Sequence, residues 1–195
     1  MVAPSDADHP NEPAGAMTER PADNANTNAL IALVDAAAQR LQIADPVAAS
    51  KFRIGDPIDD PVRELQVLNA VAAEAVAKHI DPDYIKDVFR DQIDATSAIE
   101  HIRFARWKLD PLSAPVAGPD LRACRVAIDT LNHVMLNEIA LQWDSLSSPH
   151  CTADLEGAKK AVIGTRKLDS IYQKALDYVT HRYCRQGAPA RVDRI

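Results

Sequence analysis

The chain has 195 residues, a formal net charge of −6, and 26% charged against 47% hydrophobic residues. This length suits one well-buried core. The modest acidic charge gives no reason to expect a nucleic-acid or anionic-membrane partner, and no apolar run is long enough to span a bilayer. With only 6 glycines, no strand-like alternation, and long runs of Ala, Leu, Glu, Gln, Arg and Lys, which lose little rotamer freedom in a helix, the chain reads as all-α.

Residues 1–27, rich in Pro, Asp, Asn and Ala without an apolar signal core, are expected to form a flexible N-terminal tail. A first helix should start at the capping residue Asn28 and run to about Arg53. Leu30, Leu33, Val34, Ala37, Leu41, Ala44 and Ala48 fall on one stripe of it, and Pro46 should kink or fray it. The segment from Gly55 to Pro61 reads as a turn, with Pro61 opening a second helix to about His79. Asp81 and Pro82 should begin a third helix ending near Leu109, and residues 110–119, with three prolines, form a loop. Asp120 caps a fourth helix to about Leu146. The last two helices are predicted over about 152–165 and 168–185. The expectation is a single-domain six-helix bundle over residues 28–186, followed by a polar C-terminal tail, 187–195.

Several chemistries have no representative motif. The chain lacks a Gly-rich phosphate loop, Cys-x-x-Cys, His-Glu-x-x-His and Gly-x-Ser-x-Gly, and its 6 histidines are scattered, so neither a metal site nor an acyl-enzyme mechanism is expected. Of the 3 cysteines, Cys151 and Cys184 sit at the edges of the last helical pair while Cys124 lies within a helical pattern. A Cys151–Cys184 disulfide with Cys124 left over is one reading, and three reduced thiols in a cytosolic protein is the other.

The informative feature is polar residues on faces that periodicity buries. On the third helix Gln92, Thr96, Glu100 and Arg103 fall within the arc of Ile85, Val88, Phe89, Ile99 and Trp107, and on the fourth Arg125 and Asn132 lie inside the apolar stripe. Arg40 and Lys51, three turns apart, flank one edge of the first stripe, and Arg63 follows the turn. Buried charges cost several kcal/mol each unless paired. Either these cations pair with acids such as Asp45, Asp60, Glu64 and Glu100 and keep their heads in water, or their excess over inward acids makes a pocket for a small dianion.

The runs LVDAAAQRL (33–41), ADPVAASK (44–51) and PIDDPVRE (57–64) resemble the all-helical chorismate mutases. The runs HIDPDY (79–84), FRDQIDAT (89–96) and WKL (107–109), with Cys151 and Cys184 near the end, are similar to the secreted or periplasmic gamma subclass of that family. The resemblance spans roughly residues 28–186. It implies a Claisen rearrangement of chorismate to prephenate, without metal or cofactor, by a protein acting outside the cytosol and expected to be a homodimer. It also implies roles. Arg40, Arg63 and Arg125 resemble the arginines that hold the substrate carboxylates, and Lys51 and Glu100 match the residues on the ether oxygen. Thr96 resembles a hydroxyl residue near a carboxylate, and Asp60 and Glu64 resemble groups addressing the ring hydroxyl. Val67 departs from the pattern, since secreted relatives often place a glutamine there. Two alternatives share the pocket: an isochorismate pyruvate-lyase on the same fold, and a non-catalytic helical sensor or binding module.

Overall fold

The apolar stripe read over residues 30–48 becomes the middle of the protein. The computed structural model describes residues 28–185, so the expected tails, 1–27 and 187–195, lie outside the described residues. All seven residues of the stripe are fully buried, but they are divided between α1 (Ile31–Gln42) and α2 (Ala44–Ile54). Pro46 explains the division: it has no N–H to give the Gln42 carbonyl, so it is tolerated only in a first turn, where that donor would be unused anyway. The chain therefore restarts the helix at Ala44 instead of bending through Pro46. Asn28 is not the N-cap, which is Leu30, but it braces the turn before α1, its Oδ1 accepting the Leu30 N–H at 2.9 Å. Gly55 closes α2 in the left-handed region, at φ 76°, a backbone conformation that glycine reaches without strain.

The remaining helices follow their capping signals. In α3 (Pro61–Ala77), α4 (Pro82–Leu109), α5 (Leu121–Leu141) and α8 (Ser170–Thr180), an aspartate at the N-cap (Asp60, Asp81, Asp120 and Asp169 respectively) accepts first-turn N–H groups. Between them, residues 111–113 form a single 3-10 turn, α6 (Trp143–Leu146) is a short helix set off from α5 at Gln142, and α7 (Cys151–Arg166) precedes α8. The described residues thus hold eight α-helices where six were expected, because two of the predicted helices are interrupted by a single residue each, at Ile43 and Gln142. The other correction is at the end, where α8 stops at Thr180 instead of near residue 185. Among the described residues there is no strand, and no helix is long and apolar enough to cross a membrane.

Helix α1 is buried on most of its circumference and packs against α4, α5, α7 and α8. The α2–α4 contact carries a separate small cluster, with Phe52, Phe104 and Trp107 meeting edge to face around Ala48 and Ala49. Both contacts fix the side chains of α1, α2 and α4 that point away from the core toward α3 and α5.

Cys151 and Cys184 form a disulfide, with Cα atoms 5.7 Å apart and a sequence separation of 33, while Cys124 is free and buried. The bond ties the start of α7 to the irregular segment after α8. Closing a loop of this length removes unfolded-state entropy worth about 3–4 kcal/mol, so calorimetry with and without reductant should show Tm falling on the order of 10 °C. An unchanged Tm would mean that the loop was already restrained in the unfolded chain.

Candidate active site

Five helices turn polar side chains toward one cleft. Arg40 comes from α1, Lys51 from α2, Arg63 and Glu64 from the first turn of α3, Thr96 and Glu100 from α4, and Arg125 from α5, with Asp60 at the α3 N-cap. Val47, Ile58, Val67, Ile93, Leu121 and Ile128 supply the apolar walls, and the cavity volume is about 90 Å³.

At one end lies a buried pair: Lys51 Nζ stands 3.0 Å from Glu100 Oε2 and also donates to the Ile58 carbonyl. Burial pushes the Glu100 carboxyl above the ordinary range, while the Lys51 charge beside it pulls the other way. At the other end, Arg40 is 3% exposed. Its Nε donates to Asn132 Oδ1 at 2.8 Å, and its Nη1 reaches the Gln92 carbonyl and Gln92 Oε1 at 3.3 and 3.4 Å and Thr96 Oγ1 at 3.4 Å. These acceptors are all neutral. Burial lowers the Arg40 pKa to about 10, which still leaves it a cation at neutral pH.

The two cations at the mouth are paired. Arg63 Nη2 meets Asp129 Oδ1 at 2.6 Å, and Arg125 Nη2 meets Asp60 Oδ2 at 2.8 Å. Asp60 has a second duty, since its Oδ1 accepts the Arg63 N–H at the start of α3. Glu64 is held by Arg90 at 2.7 Å. The cleft therefore carries four cations against three carboxylates, and a protonated Glu100 would leave an excess of two positive charges.

Comparison with known proteins identifies the arrangement. Residues 31–101 match the family model described as chorismate mutase type II. The chain is 60% identical over 156 residues to a secreted chorismate mutase of Mycolicibacterium smegmatis, covering 80% of this chain and 86% of that protein. The chain belongs to the secreted chorismate mutases. It is also 52% identical to a secreted chorismate mutase of Mycobacterium tuberculosis, over 84% of this chain and 82% of that one. The crystal structure of chorismate mutase from Burkholderia phymatum superposes with a TM-score of 0.77 at 27% identity, over 82% of this chain and 98% of that one.

In this mutase, all eight residues that the resemblance marked for the substrate line one cleft. Arg103, read from periodicity as inward-facing, does not join them: its Nε binds Asp45 at 2.7 Å, on the other side of α4's buried face. Of the two readings of the inward cations, pairing holds for Lys51, Arg63 and Arg125, which each have a carboxylate, while Arg40 has none within ion-pair distance among the described residues. Sequence reasoning placed Gln92 and Asn132 on buried arcs without seeing that both grip Arg40. It missed Asp129, whose contact with Arg63 crosses 66 residues of chain and leaves no local pattern.

Proposed function

We propose that residues 28–186 form the catalytic domain and that this cleft binds chorismate as its dianion and catalyses its rearrangement to prephenate, with Arg40, Arg63 and Arg125 on the carboxylates and Lys51 and Glu100 on the ether oxygen. One observation carries the reading. Arg40 is a guanidinium almost wholly removed from water, held by side-chain amide carbonyls, a backbone carbonyl and a hydroxyl, with no carboxylate within ion-pair distance among the described residues. A buried cation costs several kcal/mol unless an anion meets it, and a substrate carboxylate is that anion.

The reaction is pericyclic, so it calls for no nucleophile or proton transfer. What the site can supply is conformation and charge. Arginines gripping two carboxylates hold a flexible substrate in its compact reactive conformer. Lys51 and a protonated Glu100 donate to the ether oxygen, whose negative charge grows as the C–O bond lengthens, and such stabilisation is worth most in a water-poor site. Thr96 lies beside the Arg40 carboxylate position, and Asp60 and Glu64 stand where a ring hydroxyl could donate to them. Val67 offers only apolar contact.

As a secreted mutase the protein works where a disulfide persists. We also propose a homodimer, supported by the half-exposed Ile102 and Tyr178 flanking an apolar groove between α4 and α8; sedimentation velocity reads the mass directly.

The test is the absorbance of chorismate with wild type and Arg40→Met, which keeps volume and removes charge. Losing a charged hydrogen-bond partner should raise KM at least about tenfold, while Tm holds or rises because an unpaired buried charge is gone. Wild-type KM in the folded Met variant would refute the assignment of Arg40.

A further inference from the structure

Arg40 is aimed by residues that the chemistry above does not use. Gln92 on α4 is fully buried, and its Oε1 is 3.4 Å from Arg40 Nη1. A guanidinium can only donate, so this contact fixes the amide's orientation and turns its NH₂ away from the cleft. Beside Gln92 lies the Tyr183 hydroxyl, also fully buried. Among the described residues, neither Gln92 Nε2 nor the Tyr183 hydroxyl has a hydrogen-bond partner, so the two buried groups are free to satisfy each other.

Tyr183 itself is fixed from three directions. Its carbonyl accepts the Tyr84 hydroxyl at 2.9 Å, the next residue is the disulfide cysteine Cys184, and Arg185 N–H donates to the Leu146 carbonyl at 2.7 Å. The irregular segment after α8 thus ties the Tyr183 backbone to α4, to the end of α6 and to α7.

We propose that Gln92 is a positioning residue for Arg40 and that the Tyr183 hydroxyl holds the Gln92 amide from behind, so that the disulfide-tied segment after α8 sets the aim of the substrate-gripping guanidinium. Asn132 occupies Nε and Gln92 one side of Nη1, and Nη2 makes neither bond, so a carboxylate approaching the open end finds the guanidinium in a fixed plane. The inference rests on Arg40 being a carboxylate ligand.

An alignment lost from Arg40 weakens ground-state and transition-state binding together, which raises KM and spares kcat. Gln92→Leu should therefore raise KM for chorismate about tenfold with kcat within about twofold. Its Tm should fall only modestly, because leucine fills a similar volume and Arg40 keeps the Asn132 side chain, the Gln92 backbone carbonyl and Thr96 as acceptors. Tyr183→Phe should raise KM in the same direction by less, and should add nothing in the Gln92→Leu background, since the two act in series.

Wild-type KM in Gln92→Leu, whether or not Tm falls, would make Gln92 a packing residue and overturn the proposal, as would additive effects of the two substitutions. Arg40→Met, run alongside, separates the two readings. If it raises KM while Gln92→Leu does not, only the positioning role fails; if it too leaves KM unchanged, the reading of Arg40 fails first.

Discussion

Lys51→Ala is expected to lower kcat/KM by about 10²–10³-fold, the loss seen when one donor to a developing oxyanion is removed. The ammonium is 3.0 Å from Glu100 and bound to the Ile58 carbonyl, which leaves its third donor for a ligand in the cleft. Arg125→Ala should fall in the same range, because a carboxylate clamp and an ordering constraint on the substrate go together. The two variants should differ in stability. Arg125 and Asp60 are both partly exposed, so their separation costs little. Lys51 and Glu100 are buried, and breaking such a pair by removing one partner costs about 3–5 kcal/mol unless the survivor is neutralised. Glu100 can take up a proton, so the Lys51→Ala enzyme should fold with a lowered Tm. Steady-state kinetics beside a melting curve read both effects, and near wild-type turnover in a folded Lys51→Ala variant would remove that residue from the site.

Glu100→Ala should abolish most activity at every pH, whereas Glu100→Gln should keep much of it and keep it to higher pH. The reason is the proton. An ionised carboxylate facing the ether oxygen repels the charge forming there, so only the acid form donates. Burial raises the Glu100 pKa, against the pull of Lys51, and a bound dianion would raise it further. The sign follows: the active form exists below the free-enzyme pKa, so kcat/KM of the wild type should fall as pH rises through it. The Gln variant has nothing to titrate and should not follow that limb. A wild-type rate that is flat through the neutral range, together with a folded but inactive Gln variant, would show that the carboxylate acts in its charged form or not at all.

Much of the architecture was legible in local pattern. The helix starts at Pro61, Asp81 and Asp120 are short-range chemistry, and the three-turn spacing of Arg40 and Lys51, with Thr96 and Glu100 one turn apart, puts side chains on a face whatever the tertiary packing. The breaks at Ile43 and Gln142 were not legible, because a periodic stripe continues across a one-residue interruption. Partners were the harder part. Which carboxylate meets Arg63 or Arg103 depends on how α3, α4 and α5 cross, and Asp129 and Asp45 are ordinary exposed-face aspartates until that crossing is known. The helix predicted to about residue 185 ends at Thr180, beyond which the disulfide and the Leu146 carbonyl hold the chain in an irregular path.

In the proposed site, the interruption at Ile43 divides the substrate's contacts between two helices. Arg40 rides on α1 and Lys51 on α2, so the distance and twist between the proposed carboxylate grip and the proposed ether-oxygen donor are set at the joint between the two helices. The joint is locked on both sides, by the core that surrounds α1 and by the Phe52, Phe104 and Trp107 cluster under α2. On the proposed assignment, the geometry of the cleft is set as in a caliper, at the pivot, and the aromatic cluster under α2 holds that setting.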